Sequence, residues 1–125
     1  MKTLFLTVEE VKEAIVNYYN QELNDDIESE VDNETYIEDC EVVTKFYIKD
    51  HYKKENRTTY FSLSHEDLVE VFDNYLKDSN YELDRFEYMG GIRHVGYFVS
   101  EDTPYFEGII LFLREKSLKK KRKLF

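Results

Sequence analysis

The sequence predicts a single α+β domain in which two amphipathic helices pack on one face of an antiparallel sheet of about five strands. The chain has 125 residues, the usual size of one domain. Its 42% hydrophobic and 16% aromatic content is sufficient for a packed core. The spacing of apolar residues changes between the helical and the strand period in the order αββαβββ, with short connections that favour antiparallel pairing.

The first predicted helix begins with a capping box, Thr7 to Glu10, flanked by Leu6 and Val11 as a hydrophobic staple. Apolar side chains then recur at intervals of three, four and seven residues. This spacing predicts a helix that runs to about Leu23.

The next segment, residues 24–35, is polar and acidic, which predicts a long connection with at most one short edge strand. From Tyr36 onward apolar residues alternate, which predicts a half-buried strand with Cys40 on its buried face. A second strand is predicted at 57–63, after a polar hairpin loop at 51–56.

A second helix is predicted from Ser64, which is followed by Asp67 in the first turn and flanked by the staple pair Leu63 and Leu68. Its apolar spacing ends near Asp78. Three further strands are predicted, at 81–89, 92–99 and 105–114.

The connections between these last strands are a tight turn at Gly90 and Gly91 and a loop at 100–104. The run from Ile109 to Leu113 is continuously apolar, which is typical of a central strand covered on both faces.

Charge divides the chain into an acidic body and a basic end. Residues 1–113 contain ten basic and twenty-six acidic side chains, a net charge of −16, whereas residues 114–125 contain seven basic and one acidic, a net charge of +6. We therefore predict a folded domain at 1–115 and a basic tail at 116–125.

Several classes of site lack the residues that they need. Cys40 is the only cysteine, so no internal disulfide is possible and a reducing compartment is favoured. The three histidines, His51, His65 and His94, fall in three different predicted elements without zinc-site spacing. The glycines do not form a nucleotide-binding loop. We expect no metal and no cofactor.

The sequence also bounds the location of the protein. The N-terminal segment from Met1 to Leu6 has one basic residue and only a few apolar ones, too short for a signal peptide, and no stretch approaches the roughly 18 apolar residues of a membrane span. We expect a cytoplasmic protein without membrane contact, or a nuclear one if the host has a nucleus.

One group of residues resembles a small acid/base and anion-binding cluster of the kind small nucleases use. Arg93, His94, Tyr97 and Glu107 lie on predicted neighbouring strands. The simpler interpretation is a cross-strand ion pair of Arg93 with Glu107 on a solvated face, because His94 alternates to the other face.

Residues 22–41 contain ten carboxylates and no lysine or arginine. Such a run is often plain solvated surface. Carboxylates at phosphate-like spacing also complement a basic nucleic-acid channel, and tyrosines beside them supply anchoring contacts. The predicted partner-binding residues are Glu22, Asp25, Asp26, Glu28, Glu30, Asp32, Glu34, Tyr36, Glu38, Asp39 and Glu41.

The tail contains a block of five basic residues, Lys119, Lys120, Lys121, Arg122 and Lys123. The block resembles monopartite nuclear-localisation signals, and residues 122–125 resemble the docking motif of cyclin ligands. The alternatives are a contact with nucleic acid or an anionic membrane, a solubilising end, or a segment that folds back on the acidic run.

Together these features predict a non-enzymatic protein-binding module that inhibits or regulates a basic, nucleic-acid-binding enzyme. The chain is similar in style to small acidic accessory proteins of phages and mobile elements, including inhibitors of restriction and CRISPR nucleases. One alternative is a nucleic-acid-binding regulator or small nuclease that uses the tail with Arg93, His94 and Glu107. Another is a homo-oligomeric structural module, for which a homodimer is the simplest form.

Overall fold

The computed structural model describes residues 2–20, 26–95 and 101–116. Within them the chain forms six strands and two helices. Their bounds are β1 Lys2–Thr7, α1 Val8–Tyr19, β2 Ile27–Glu38, β3 Glu41–Tyr52, β4 Arg57–Ser62, α2 His65–Leu76, β5 Tyr81–Val95 and β6 Glu101–Glu115.

The strands form two antiparallel sheets of three strands each. We call the sheet with the order β1-β6-β5 the terminal sheet and the sheet with the order β2-β3-β4 the hairpin sheet. The α+β class with two helices is confirmed. The prediction of one sheet with about five strands is wrong. The apolar pattern predicts neither β1 nor β2 as a full strand, and β5 runs without a break across the predicted boundary between strands 81–89 and 92–99.

Both helices begin where the sequence predicts, with reciprocal capping hydrogen bonds. The backbone N–H of Glu10 donates to Thr7 Oγ1 at 3.2 Å. At α2 the N–H of Asp67 donates to Ser64 Oγ at 3.2 Å, and the N–H of Ser64 donates to Asp67 Oδ2 at 2.8 Å. Helix α1 ends at Tyr19, before the predicted end at about Leu23, which lies outside the described residues.

The hairpin of β2 and β3 corrects two predictions. Residues 27–38 are strand rather than connection, and Asp39 and Cys40 form a two-residue turn with φ of 49° and 65°. Two positive φ values are what a type I′ turn requires. Cys40 is therefore exposed at the turn and not on the buried face of a strand. The predicted alternation does hold after the turn, where Phe46 and Ile48 are buried.

Strand β5 corrects the predicted turn at Gly90 and Gly91. Both glycines lie inside the strand, opposite Phe106 and Tyr105 of β6. The pairing shifts between Met89 and Gly90, which leaves Glu107 as an extra residue on β6. The expected loop at 100–104 is likewise mostly strand, because β6 begins at residue 101.

The core lies between the helices and the inner faces of both sheets. Strand β6 is central in the terminal sheet, as its continuous apolar run predicts, and Ile109, Leu111 and Leu113 are buried. The Phe72 and Phe86 rings meet edge to face, with 5.1 Å between their centroids. The core thus connects α2 to the terminal sheet and leaves the outer face of the hairpin sheet toward solvent.

Candidate partner-binding surface

Four carboxylates form a line along the outer face of the hairpin sheet. Glu28, Glu30, Asp32 and Glu34 occupy alternate positions of β2 and are exposed, whereas the residues between them are half-buried. Alternate side chains of a strand share one face, at intervals of roughly 6.8 Å. We call these four residues the acidic row.

Basic side chains of β3 neutralise part of the acidic row. Lys49 Nζ lies 3.1 Å from Asp32 Oδ2 and 3.9 Å from Glu30 Oε1. His51 Nε2 lies 3.3 Å from Glu30 Oε1. The Glu30 and Asp32 side chains are 59% and 54% exposed, so water screens these contacts. The pairs orient the carboxylates more than they stabilise the fold.

Hydrogen bonds shift the pKa values of Asp32 and Lys49 in the directions that keep both groups charged. The backbone N–H of Asn33 and the Lys49 ammonium lower the pKa of the Asp32 carboxyl. The same contact with Asp32 raises the pKa of Lys49. Asp32 and Lys49 therefore both stay charged at neutral pH.

A second group of acids surrounds the β2–β3 turn. We call Glu38, Asp39 and Glu41 the acidic tip. All three are exposed, and Glu38 is directly opposite Glu41 in the ladder. Like charges that face each other across two strands are destabilising. Within the described residues, neither an ion pair nor a hydrogen bond to a side chain compensates this repulsion at the tip.

Tyrosines lie beside the acidic row. The Tyr47 hydroxyl donates to Glu34 Oε2 at 3.0 Å, and this bond raises the pKa of Tyr47. Lys49 Nζ lies 5.9 Å from the centroid of the Tyr60 ring, which is 62% exposed. Tyr36 follows the row on the same face, with Lys45 Nζ at 5.6 Å from its ring. The face therefore has aromatic surface next to its charges.

The predicted partner-binding residues divide into three groups. The acidic row, Tyr36 and the acidic tip share the outer face and turn of one hairpin. Asp26 lies apart from them, at the other end of the sheet, where its Oδ2 is 3.1 Å from Lys54 Nζ. Glu22 and Asp25 lie outside the described residues.

The pairing of Arg93 with Glu107 is wrong. The ladder places Arg93 opposite Thr103, and its guanidinium lies 4.4 Å from the centroid of the Tyr105 ring. Glu107 is the extra residue of the bulge, level with the step from Met89 to Gly90. Glu107 lies four positions along β6 from Thr103, the residue opposite Arg93.

Other predicted positions fall where the structure gives no side chain. The side chain of His94, all of Tyr97 and the whole basic block of the tail lie outside the described residues. The boundary between domain and tail at residue 116 stays a prediction. The last described side chain, Lys116, donates to the carbonyl oxygen of Lys77 at 3.0 Å.

The described part of the chain contains no cluster of three or more His, Cys, Asp or Glu side chains arranged to hold a metal ion. None of its helices has the length and apolar character to cross a membrane.

No protein-family model, curated protein or solved structure matches the chain.

Proposed function

We propose that this chain is a non-enzymatic inhibitor or regulator that places the acidic face of its β2–β3 hairpin in the nucleic-acid groove of a basic enzyme. A restriction or CRISPR nuclease is the kind of partner that fits. The observation that carries the proposal is the acidic row. Its carboxylates form a regular line of negative charges on one face of a strand, and the phosphates of a nucleic-acid backbone present a similar line to such a groove.

The spacing of the carboxylates in the row is similar to the spacing of phosphates along a nucleic-acid strand. One nucleotide and one pair of amino-acid residues contain the same number of backbone bonds. Their extended repeats are therefore similar in length, roughly 6.8 Å for two residues of a strand. A lysine or arginine set that contacts successive phosphates also fits successive carboxylates of the row.

The hairpin holds these charges in a fixed arrangement. The row belongs to a strand that pairs with β3 along its whole length, from Ile27 opposite Tyr52 to Glu38 opposite Glu41. Lys49 and Tyr47 orient the carboxylates in addition. A surface that is already ordered loses less conformational entropy on binding than a disordered acidic tail does.

The acidic tip adds a second argument. Its turn contains two non-glycine residues at positive φ, and its closing pair places two glutamates opposite each other. Both features reduce local stability. Positive charge on a partner would relieve the repulsion among the tip carboxylates, which supports the tip as part of the binding surface.

Lysines of β3 reduce the net negative charge of the acidic row. Lys45 and Lys49 lie on the same face as the row, so four carboxylates are offset by two ammonium groups. Arginines of a partner compete with Lys49 for Glu30 and Asp32, whereas Glu28 and the tip carry no such competitor among the described residues. We therefore place the strongest contribution to binding at Glu28 and the tip.

The nuclease alternative receives less support, since its central pair of Arg93 and Glu107 is separated in the ladder. A net charge of −16 on residues 1–113 also opposes phosphate approach. The cytoplasmic location and a possible homodimer stay predictions.

The test is affinity capture from a lysate of the native host. The bait is the wild type or a variant in which five carboxylates become amides: Glu28, Glu30, Asp32, Glu34 and Glu38. The matched control neutralises five exposed carboxylates elsewhere: Glu9, Glu13, Glu66, Asp78 and Glu107. The proposal requires that a nucleic-acid enzyme is retained by the wild type and the control and lost with the hairpin variant. Equal capture by all three baits contradicts it.

A further inference from the structure

A cleft of about 350 Å³ lies on the opposite face of the hairpin sheet from the acidic row. Its floor is the inner face of the sheet, and its sides are the end of α1 at Tyr19 and the first turn of α2 at Asp67. Its volume falls within the range of about 300–1,000 Å³ that is usual for small-molecule sites. The cleft has room for roughly ten non-hydrogen atoms at about 30 Å³ for each water-sized group.

Much of the cleft wall is apolar. Ile48 is buried in the floor, Leu63 is half-buried, and the Phe61 ring is 48% exposed. An exposed phenylalanine beside a concave surface is a ready contact for the apolar part of a ligand. The Tyr19 ring adds a second aromatic group to the rim.

The charged side chains that line the cleft are acidic. Among the described residues, the lining includes Asp50 and Asp67 and contains no lysine, arginine or histidine. Asp50 Oδ1 accepts a hydrogen bond from the Ser29 hydroxyl, and Asp67 Oδ2 accepts the Ser64 N–H. Each of these bonds engages one oxygen of its carboxylate.

The pKa of Tyr19 at the rim of the cleft is raised. Burial raises the pKa of its phenol most, and the negative charge of Asp67 adds to the effect. Burial disfavours a charge of either sign, but the field of the Asp67 carboxylate favours a cation over an anion at this position.

We propose that this cleft binds a small organic amine with an apolar body. Its ammonium group meets the carboxylates of Asp50 and Asp67, and its body packs against Phe61 and Ile48. Aromatic faces at Tyr19 and Phe61 attract the same cation. Because the cleft and the acidic row lie on opposite faces of the sheet, this inference does not depend on the proposed function.

The probe for this inference is phenethylamine, with 2-phenylethanol and 3-phenylpropionate as neutral and anionic molecules of similar shape. Binding is measured by NMR chemical shifts of the full chain. We expect saturable shifts at Phe61 and Ile48 with the amine. The alcohol should bind at least tenfold more weakly, and the carboxylate should not bind. Equal affinity of amine and alcohol, or no binding of the amine, overturns the proposal.

Variants locate the site. Asp50→Asn and Asp67→Asn keep the shape of each side chain and remove one charge, so each should weaken amine binding at least tenfold. Glu34→Gln removes one charge from the other face and should change it less than twofold. Equal weakening by all three indicates general attraction by net charge and contradicts a defined site. Phe61→Leu, which tests the apolar contact without altering charge, should weaken the amine and the alcohol alike.

Discussion

Replacement of Gly90 by alanine tests the continuous path of β5 through its two glycines. A Cβ at Gly90 would lie 2.3 Å from the backbone carbonyl oxygen of Tyr105, whereas ordinary contacts begin near 3.4 Å. The two paired backbones would have to separate by about 1 Å. Such overpacking costs roughly 1–3 kcal/mol. The reduced freedom of the unfolded chain offsets about 0.5–1 kcal/mol of it.

The neighbouring glycine supplies the matched control. A Cβ at Gly91 would meet only the side chain of Tyr105, with the hydroxyl oxygen at 2.9 Å, and a side chain can move. For 125 residues the entropy of unfolding is about 0.26 kcal/mol per degree. At the middle of both ranges the net cost is about 1.2 kcal/mol, so Gly90→Ala should lower Tm by about 5 °C. Gly91→Ala should leave Tm unchanged or raise it by up to about 4 °C.

Differential scanning calorimetry of the two variants measures this difference. In a two-residue hairpin turn of type I′ both glycines would have positive φ, and both substitutions would be strained to a similar degree. Equal losses in Tm for Gly90→Ala and Gly91→Ala would therefore refute the continuous strand and restore the turn.

Three other predictions concern stability. Ser64→Ala removes the cap of α2 and should lower the free energy of unfolding by about 1 kcal/mol, measured by urea denaturation. Phe72→Ala empties a fully buried site and should lower it by about 3–5 kcal/mol in the same assay. Burial raises the pKa of Tyr88 above its ordinary 10.0 in the folded chain. Its contribution to stability is complete below pH 10 and declines as pH rises through the folded pKa, so Tyr88→Phe should reduce the alkaline loss of stability. An unchanged alkaline slope in that variant would contradict the assignment.

Local signals in the sequence predicted the helices well. The starts of α1 and α2 depend on a few adjacent residues, Thr7 to Glu10 and Ser64 to Asp67, whose capping bonds form within one turn. Central placement of β6 also followed from one continuous apolar run. These features need no knowledge of distant parts of the chain.

Strand pairing was less accessible because its energy comes from residues distant in sequence. Residues 27–38 are rich in carboxylates, which have low intrinsic strand propensity. Pairing with β3 provides the opposite charges, such as Lys49 beside Asp32, that make the strand favourable. Residues 36–48 likewise look like one alternating strand until the turn at Asp39 and Cys40 interrupts them. A turn without glycine leaves little signal.

The candidate surface was predictable in part. A run of acids was evident in the sequence, but whether its members share a face depended on residues 27–38 being one strand. Alternation along β2 brings Glu28 and Glu34 onto the same face, while Asp26 lies near Lys54 instead. The partial neutralisation by β3 could not be anticipated, because register across a hairpin depends on where the turn falls.

Screening distinguishes a specific acidic face from general attraction by a charged protein. At physiological ionic strength the screening length is about 8 Å, so only charges near a partner contribute strongly. Neutralising the row should therefore affect binding far more than neutralising an equal number of exposed carboxylates elsewhere on the chain.

The most direct test is competition for the purified partner enzyme captured by the wild type. Labelled nucleic acid is displaced by the chain, by the five-site hairpin variant or by the five-site control, at two salt concentrations. The acidic-face proposal predicts mutually exclusive binding that weakens with salt, a loss of at least tenfold in the hairpin variant, and little change in the control. Simultaneous binding of chain and nucleic acid, or equal losses in both variants, would contradict it.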